Sequence, residues 1–496
     1  MSKSIHLQQP PATPTHTPGQ IPPTNASDLL SRWQWFLPAN ILSGITLHGN
    51  ISWKPNQLVI QAFSWTWSAA RTLTDAFEEA AQSCRTLLGT AALSTYQGFM
   101  AALTTWSPLL IRNLIVVLRQ HAHTIGGRFW RIRRWVPIAF DGSRSTAPRT
   151  KSNETAYRAA NYGKGKTAKY RKKKTKGMRR TNNQKNKPQL PEPQVWMTLL
   201  WHMGLRLPWA WRLGPSNSSE RDHVMTMLSD EDFPKQTLFC GDAGFIGYPL
   251  WAKILERGSD FLVRSGANVY LLVESVNGRI VKEGRDQLVL CWPKDAQREG
   301  LPPLRLRLIH TRIKKTKVWL LTSVLDRKEL TLSEALRLYQ MRWGIEVEFR
   351  GLKQTLNRGE LRCRNDERVL VELHWSILGM AVAELWAFSE QMEKRKAKAE
   401  SQSKADEDVP GKRSLSGTMR ALRWCLRYLR EVCEPGQSLA DRLRKAVTDD
   451  YKRKSSKKAR YRPANPDKKP LGDPKLRVVT SEEERQLQNM QPILAV

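Results

Sequence analysis

The sequence predicts an α/β protein: a mixed-sheet core interrupted by an inserted run of β-strands, with helical regions at its N-terminal and C-terminal sides. Three patterns predict it. Apolar residues recur at three- and four-residue steps between Leu29 and Arg131. Short continuous apolar runs then alternate with amphipathic helices from Val136 to Arg264. From Ala267 to Ser323 the alternation is the two-residue one of strands. The chain has 496 residues, room for two or three domains. Its 81 Lys and Arg against 46 Asp and Glu give a net charge of +35, which implies a polyanionic partner, nucleic acid or an anionic membrane.

Residues 1–27 are rich in Pro, Thr and Gln with nothing to bury, so they read as a disordered tail without a secretory signal. Residues 28–131 read as a small helical domain that grips DNA ends, with Ala69–Leu88 and Tyr96–Val117 as its clearest helices and Ser94 and Ser107 as caps. The core's first part spans 132–265. Val136–Phe140 is a buried strand emptying into a turn at Asp141-Gly142-Ser143. A basic loop, 149–193, follows; Arg149 to Lys187 carries fifteen Lys or Arg against the single Glu154. Gln194–Met203 and Trp209–Leu213 read as strands, Ser218–Leu228 as a capped helix, and Thr237–Gly241 as a strand ending at Asp242. Pro249–Arg257 is a helix and Asp260–Arg264 another strand. Strands at Tyr270, Leu288, Leu304 and Lys317 make the β insertion, 266–325, with turns at Asn277-Gly278 and Pro302-Pro303. The core resumes over 326–392, a linker and helical region cover 393–450, and 451–496 form a basic, disordered tail.

Strand, strand, strand, helix, strand, helix, strand is the order of a ribonuclease H-like sheet with helices on both faces. Of the two polyanions, the membrane is disfavoured. The apolar stretches Val195–Leu213 and Trp375–Phe388 are interrupted by His202, Arg206 and Arg212 and by Glu384, short of the roughly 20 clean residues a span needs. Six cysteines with no C-x2-C pair fit reduced thiols and argue against a zinc ribbon. The expected location is the cytoplasm, on the nucleoid.

The helix Leu332 to about Leu356 is the most informative segment. At about 100° per residue, Leu338, Met341, Ile345, Phe349, Leu352 and Leu356 form one apolar stripe. Tyr339, Arg342, Glu346 and Lys353 line its border, while Glu348 points elsewhere. Alone, such a row reads as a solvated face with an Arg342–Glu346 pair. With Asp141 and Asp242 at strand ends, it suggests three carboxylates for two divalent ions, Mg2+ or Mn2+, which prefer hard oxygen donors. Two such ions about 4 Å apart flank a scissile phosphate. Asp141 would bridge them, Asp242 and Glu346 would each hold one, Arg342 and Lys353 would meet DNA phosphates, and Tyr339 would donate to a phosphate or stack on a base.

At these residues the sequence resembles the DDE transposases of the insertion-sequence-four family. Tyr339, Arg342, Glu346 and Lys353 match its Y-x2-R-x3-E-x6-K signature, and Asp141-Gly-Ser-Arg144 and Gly241-Asp-Ala-Gly-Phe-Ile-Gly247 look like its acidic motifs. The resemblance covers about Arg134 to Phe388. It implies cut-and-paste transposition by a synaptic homodimer: binding of terminal inverted repeats, cleavage to a 3′-hydroxyl, and strand transfer into target DNA. Some relatives form a hairpin with a flipped base held by an aromatic wedge, for which Trp292 is a candidate, although packing within its own sheet is the commoner role. Two other readings stand beside it: a ribonuclease H-like nuclease or resolvase that does not join strands, and an inactive DNA-binding remnant.

Overall fold

The computed structural model describes residues 24–38, 42, 45, 51, 53–158, 192–273, 275–276, 279–280, 286–313, 316–401, 413–448, 471–488 and 490. Most of the basic loop (159–191), of the N-terminal tail and of the linker 402–412, and residues 449–470, lie outside them.

The helical stretch holds four helices, α1 (Asn25–Phe36), α2 (Pro55–Trp67), α3 (Leu73–Leu88) and α4 (Tyr96–Gly126); the periodicity places the last two, although α3 starts four residues later than expected and α4 runs on past Val117. Thr24, Thr72 and Thr95 cap three of them, each hydroxyl accepting from a backbone N–H three residues on. The expected caps are not used. Ser94 precedes the true cap, and Ser107 lies inside α4, which runs on through Pro108; its buried hydroxyl accepts from Trp375 Nε1 at 2.7 Å. The first strand-free residues also differ from a tail that reaches Ser27, because α1 already begins at Asn25.

The N-terminal helices pack on one another, Trp33 against Phe63 at 5.3 Å and Trp65 against Phe99 at 5.7 Å. They close on the long helix Asp366–Ser401: Trp33 meets Trp386 edge-on at 4.8 Å, and Phe63 meets Trp375 at 5.4 Å. Trp67 Nε1 donates to the Gly379 carbonyl at 2.9 Å, where a side chain on Gly379 would crowd Thr66. Arg32 pairs with Glu390 at 2.9 Å in the same interior. The helical region and the end of the core thus share one hydrophobic interior.

Next in the chain come β1 (Val136–Thr146), α5 (Lys151–Tyr157), β2 (Gln194–His202), β3 (Leu207–Pro215), α6 (Glu220–Asp230), β4 (Thr237–Gly241), α7 (Tyr248–Glu256) and β5 (Asp260–Ser265). The inserted segment holds β6 (Tyr270–Val273), a small ladder of β7 (Ser275–Val276) and β8 (Arg279–Ile280), β9 (Asp286–Cys291), α8 (Lys294–Arg298), β10 (Leu304–Ile313) and β11 (Thr316–Thr322). After it follow α9 (Leu332–Met341), α10 (Gly344–Arg350), α11 (Asp366–Ser401), α12 (Leu415–Arg427), α13 (Leu439–Lys445), β12 (Lys475–Val478) and α14 (Ser481–Gln488).

One ten-stranded mixed sheet runs β12-β6-β9-β10-β11-β5-β4-β1-β2-β3. β1, β4 and β5 are parallel, whereas β1, β2 and β3 form an antiparallel meander. The inserted strands extend this same sheet, since β11 pairs antiparallel with β5. At the far edge the tail expected to be disordered supplies β12, parallel to β6, and α14. The Arg477–Glu483 ion pair and the bond from Gln297 to Glu483 fasten it there.

Two helical stretches, Tyr96–Phe129 and Asp366–Arg395, are long and apolar enough by length and composition to cross a membrane, which the interrupted stretches at Val195 and Trp375 did not suggest. The second is 89% buried over its apolar window, so its apolar surface is used by the protein's own core.

Candidate active site

Register brings the two aspartates together. Ala139 of β1 pairs with Cys240 of its parallel neighbour β4, so two residues further on Asp141 and Asp242 reach the same end of the sheet. Gly241 leaves room for the Phe140 ring, which lies across it: a Cβ there would lie 2.9 Å from Cζ of Phe140. Asp242 then turns out of β4, accepting from Gly244 N–H at 2.7 Å. β1 does not stop at Asp141 in a turn, as expected. It continues to Thr146, held by β2 through Asp141↔Leu199 to Thr146↔Gln194, so Asp141 is anchored in mid-strand.

The third carboxylate arrives on a helix that is not straight. The expected helix Leu332–Leu356 breaks at Arg342-Trp343, where three-residue hydrogen bonds (Trp343 to Gln340, Ile345 to Arg342, Glu346 to Trp343) overwind the chain. A π turn over Gly351–Thr355 then underwinds it. Gly344 sits in the break because Trp201 of β2 fills its side-chain space; a Cβ would collide with the indole, 2.7 Å from Cζ3. The end of the π turn is tied to β1: Thr146 N–H donates to Gly359 O at 2.9 Å and Leu361 N–H to Thr146 O at 2.8 Å.

This winding redistributes the signature row. Glu346 stays partly exposed, with 43% of its side chain accessible. Arg342 turns inward, only 3% exposed, and its guanidinium bridges Asp141 at 3.3 Å and Glu346 at 3.4 Å. Tyr339 is buried at 2% and bonded to Arg264 of β5; burial raises its phenol, and Arg342 opposes that rise. Neither Tyr339 nor Arg342 is open to DNA in this arrangement, contrary to their expected contacts. Lys353 is half-buried in the π turn, and burial lowers its ammonium. Trp292 is buried too, its Nε1 donating to Leu301 O at 2.7 Å, so a wedge role requires it to leave its own sheet. Trp343, 51% exposed between Arg342 and Glu346, is the aromatic that faces solvent here, and the helix-stripe pattern overlooked it.

Burial pushes the Asp141 carboxyl up to about 6; the Gly142 N–H and Arg342 pull it down, while Asp242 and Glu346 push it up. A fourth acid, Glu220 in the first turn of α6, stands beside them. Burial first, then Asp141 and Asp242, push it up to about 7 against Arg144. Sequence patterning assigns Glu220 no role beyond membership of the capped helix Ser218–Leu228; its place in the chain between the two Asp-bearing strands was the available signal. Glu348 points away, as expected, into a buried contact with Glu384 near Arg413; burial and Glu384 raise it. His223 is a packing residue, its Nδ1 bonded to Thr198 at 2.9 Å. Among the described residues no three His, Cys, Asp or Glu side chains are already gathered tightly enough to hold a metal ion, because Arg342 occupies the gap between Asp141 and Glu346.

Aspartates from adjacent parallel strands with a glutamate on a facing helix place the chain among α/β proteins with a carboxylate cluster at one sheet end. Residues 136–380, just short of half the chain, match the family described as the transposase DDE domain, and that span contains Asp141, Asp242 and Glu346. The match supports a DDE transposase. Among solved structures the chain is similar to a piggyBac transposase synaptic complex with hairpin DNA, at 11% identity and a TM-score of 0.37, over 86% of this chain and 87% of that one. No curated protein matches the chain.

Proposed function

We propose that this chain is a DDE transposase with a ribonuclease H-like core, which cleaves DNA at transposon ends and joins the freed 3′ ends to target DNA. The observation that carries the reading is the convergence of Asp141, Asp242 and Glu346 within the span similar to the DDE domain. Asp141, Asp242 and Glu346 would hold two divalent ions, Mg2+ or Mn2+. When bound, such ions supply Lewis-acid stabilisation at a scissile phosphate. The donor set fits: three hard-oxygen side chains, with Asp141 raised first by burial and then by Asp242 and Glu346. Glu346, the most exposed of the pair held by Arg342, can swing without unfolding the helix, so release of Arg342 opens the site. The freed guanidinium, still anchored beside the acids, then meets DNA phosphate in fork geometry. Exposed Trp343 offers a face for an unpaired base. Double-stranded DNA with terminal inverted repeats, target DNA and a second copy of the chain in a synaptic dimer are the partners this reading requires, on the nucleoid.

The test uses full-length protein, Mg2+ and labelled DNA carrying the element's own ends. Wild type nicks and joins; Glu346→Gln binds the ends and does neither. Normal cleavage by Glu346→Gln would remove Glu346 from the site. Nicking without joined products would favour the nuclease reading.

A further inference from the structure

Away from the carboxylates, the start of α3 and the segment leading into α11 line one cleft of about 580 Å³. Arginine stands on both sides of it. Arg71 precedes α3, while Arg362, Arg364 and Arg368 belong to the α11 side, and Tyr96 of α4 completes the lining with Asn365. No Asp or Glu lines the cleft among the described residues. Arg362 is fixed as part of the wall: its guanidinium donates to the Ala70 carbonyl at 2.9 Å and its backbone N–H to the Glu372 carboxylate at 2.9 Å. The side chains of Arg71, Arg364 and Arg368 make no hydrogen bond or ion pair among the described residues, and Arg71 and Arg364 are exposed.

Solubility alone asks for surface charges of both signs, interspersed. These four share one sign and one concavity, where low-dielectric walls focus the field and raise the local concentration of anions. Guanidinium forks match the oxygens of phosphate in particular. The cleft is also tied to the strand that carries Asp141. Leu361, next to Arg362, donates its N–H to Thr146 O at 2.8 Å, and Thr146 lies five residues beyond Asp141 on β1. At about 3.3 Å per residue that is roughly 17 Å, or about five base-pair steps of DNA, so one duplex can reach both. α5 steadies the same wall through Thr150, whose hydroxyl donates to the Arg364 carbonyl at 2.7 Å.

We propose that this cleft is a second DNA-binding site, separate from the carboxylates, that grips the sugar-phosphate backbone of the duplex engaged at Asp141, Asp242 and Glu346. The inference rests on the transposase reading above and deepens it by naming where the duplex is held. Phosphate contacts carry no sequence information, so the cleft supplies affinity and register rather than choice of sequence.

Fluorescence anisotropy of the full-length protein across a KCl series tests this without catalysis, using one labelled duplex with the element's own ends and one of unrelated sequence. Arg71→Ala/Arg364→Ala is expected to bind both duplexes about tenfold more weakly than wild type and to lower the slope of log affinity against log salt by about one to two. Both side chains are exposed and unbonded, so its melting temperature should stay within about 2 °C of wild type. Arg85→Ala/Arg298→Ala removes the same charge from exposed positions outside the cleft and should leave the slope unchanged. Unchanged affinity and slope in the cleft variant would overturn the proposal and leave the transposase reading standing. An equal loss in both variants would make the effect one of net charge, and a loss confined to the element's own ends would make it a base contact; either overturns the cleft. If sodium phosphate raises the melting temperature of wild type but not of the cleft variant, while the two bind DNA alike, the cleft is a small-anion site and the proposal fails. No duplex binding by wild type would overturn the transposase reading and this inference together.

Discussion

At the scale of single residues, the site is decided by where charge is left uncompensated. Arg342 is the pivotal case: a signature residue expected on a solvent-facing border is buried and spans two carboxylates. Burying a guanidinium is unfavourable unless anions surround it, and Asp141 and Glu346 are those anions. Its Nε finds no acceptor among the described residues, so the pairing is incomplete and can be exchanged for another. Trp343 is the converse case, a large apolar side chain left in water one residue away. Replacing Trp343 by Ala should destabilise the fold by about 1 kcal/mol, since about half of the side chain is already in water. The same change should weaken binding of single-stranded DNA by about 1–3 kcal/mol, measured by fluorescence anisotropy. Equal affinity of the two proteins would leave Trp343 without a stacking role. The identities of Asp141, Asp242 and Glu346 were legible from their motifs, whereas the company of Glu220 was not, because 79 residues and two strands separate it from Asp141.

At the scale of elements, apolar spacing located the main strands from β1 to β11 and the longer helices, but not α5, α8, the β7–β8 ladder or the β12–α14 edge, nor how each element is bent. Of the stripe Leu338, Met341, Ile345, Phe349, Leu352 and Leu356, all but Met341 are buried as the spacing requires; Met341, next to the break at Arg342-Trp343, is only partly covered. Keeping that stripe on the core while Gly344 fits against Trp201 takes an overwound turn and then an underwound one, which no uniform period encodes. Gly344→Ala should therefore force the third-acid helix off β2. The expected cost is about 1–3 kcal/mol in urea unfolding, as in other overpacked sites. Cleavage should fall further than DNA binding does, because Glu346 lies two residues on. A variant that keeps both stability and cleavage would show that the break is not held by Trp201. β1 shows the same limit: Asp-Gly-Ser reads as a turn, yet β2 pairs it as strand to Thr146.

At the scale of the whole molecule, the shared interior has a consequence for pH. His202 and His374 each accept a hydrogen bond at Nδ1, from Leu205 N–H at 3.1 Å and Trp211 Nε1 at 2.9 Å, which requires the unprotonated nitrogen. Burial lowers His202 to about 3 and His374 and His121 to about 4. Their folded values lie below the unfolded value of about 6.5, so unfolding takes up protons in between. The stability they contribute is complete above about pH 6.5 and is lost as pH falls toward 4. Because the raised Asp141, Glu220 and Glu348 carboxyls release protons on unfolding at pH 5, the rings are read by difference: His374→Gln should take up about one proton fewer than wild type, measured by calorimetry in buffers of different ionisation enthalpy. Equal uptake by the two proteins would mean that the His374 ring is not buried neutral.

By itself the sequence determined the mixed α/β class and the order of its main elements, and it singled out three acidic residues as candidates, because those follow from local periodicity and from residue type. Tertiary structure alone decided the rest. A tail read as disordered became an edge strand because β6 offered it unpaired backbone groups. The N-terminal helices joined the core because α11 completes the burial that they begin among themselves, Trp386 closing on Trp33 and Trp375 on Phe63. Glu220 met Asp141 and Asp242 because strand register, a property of neighbours distant in the chain, set where each carboxylate ends.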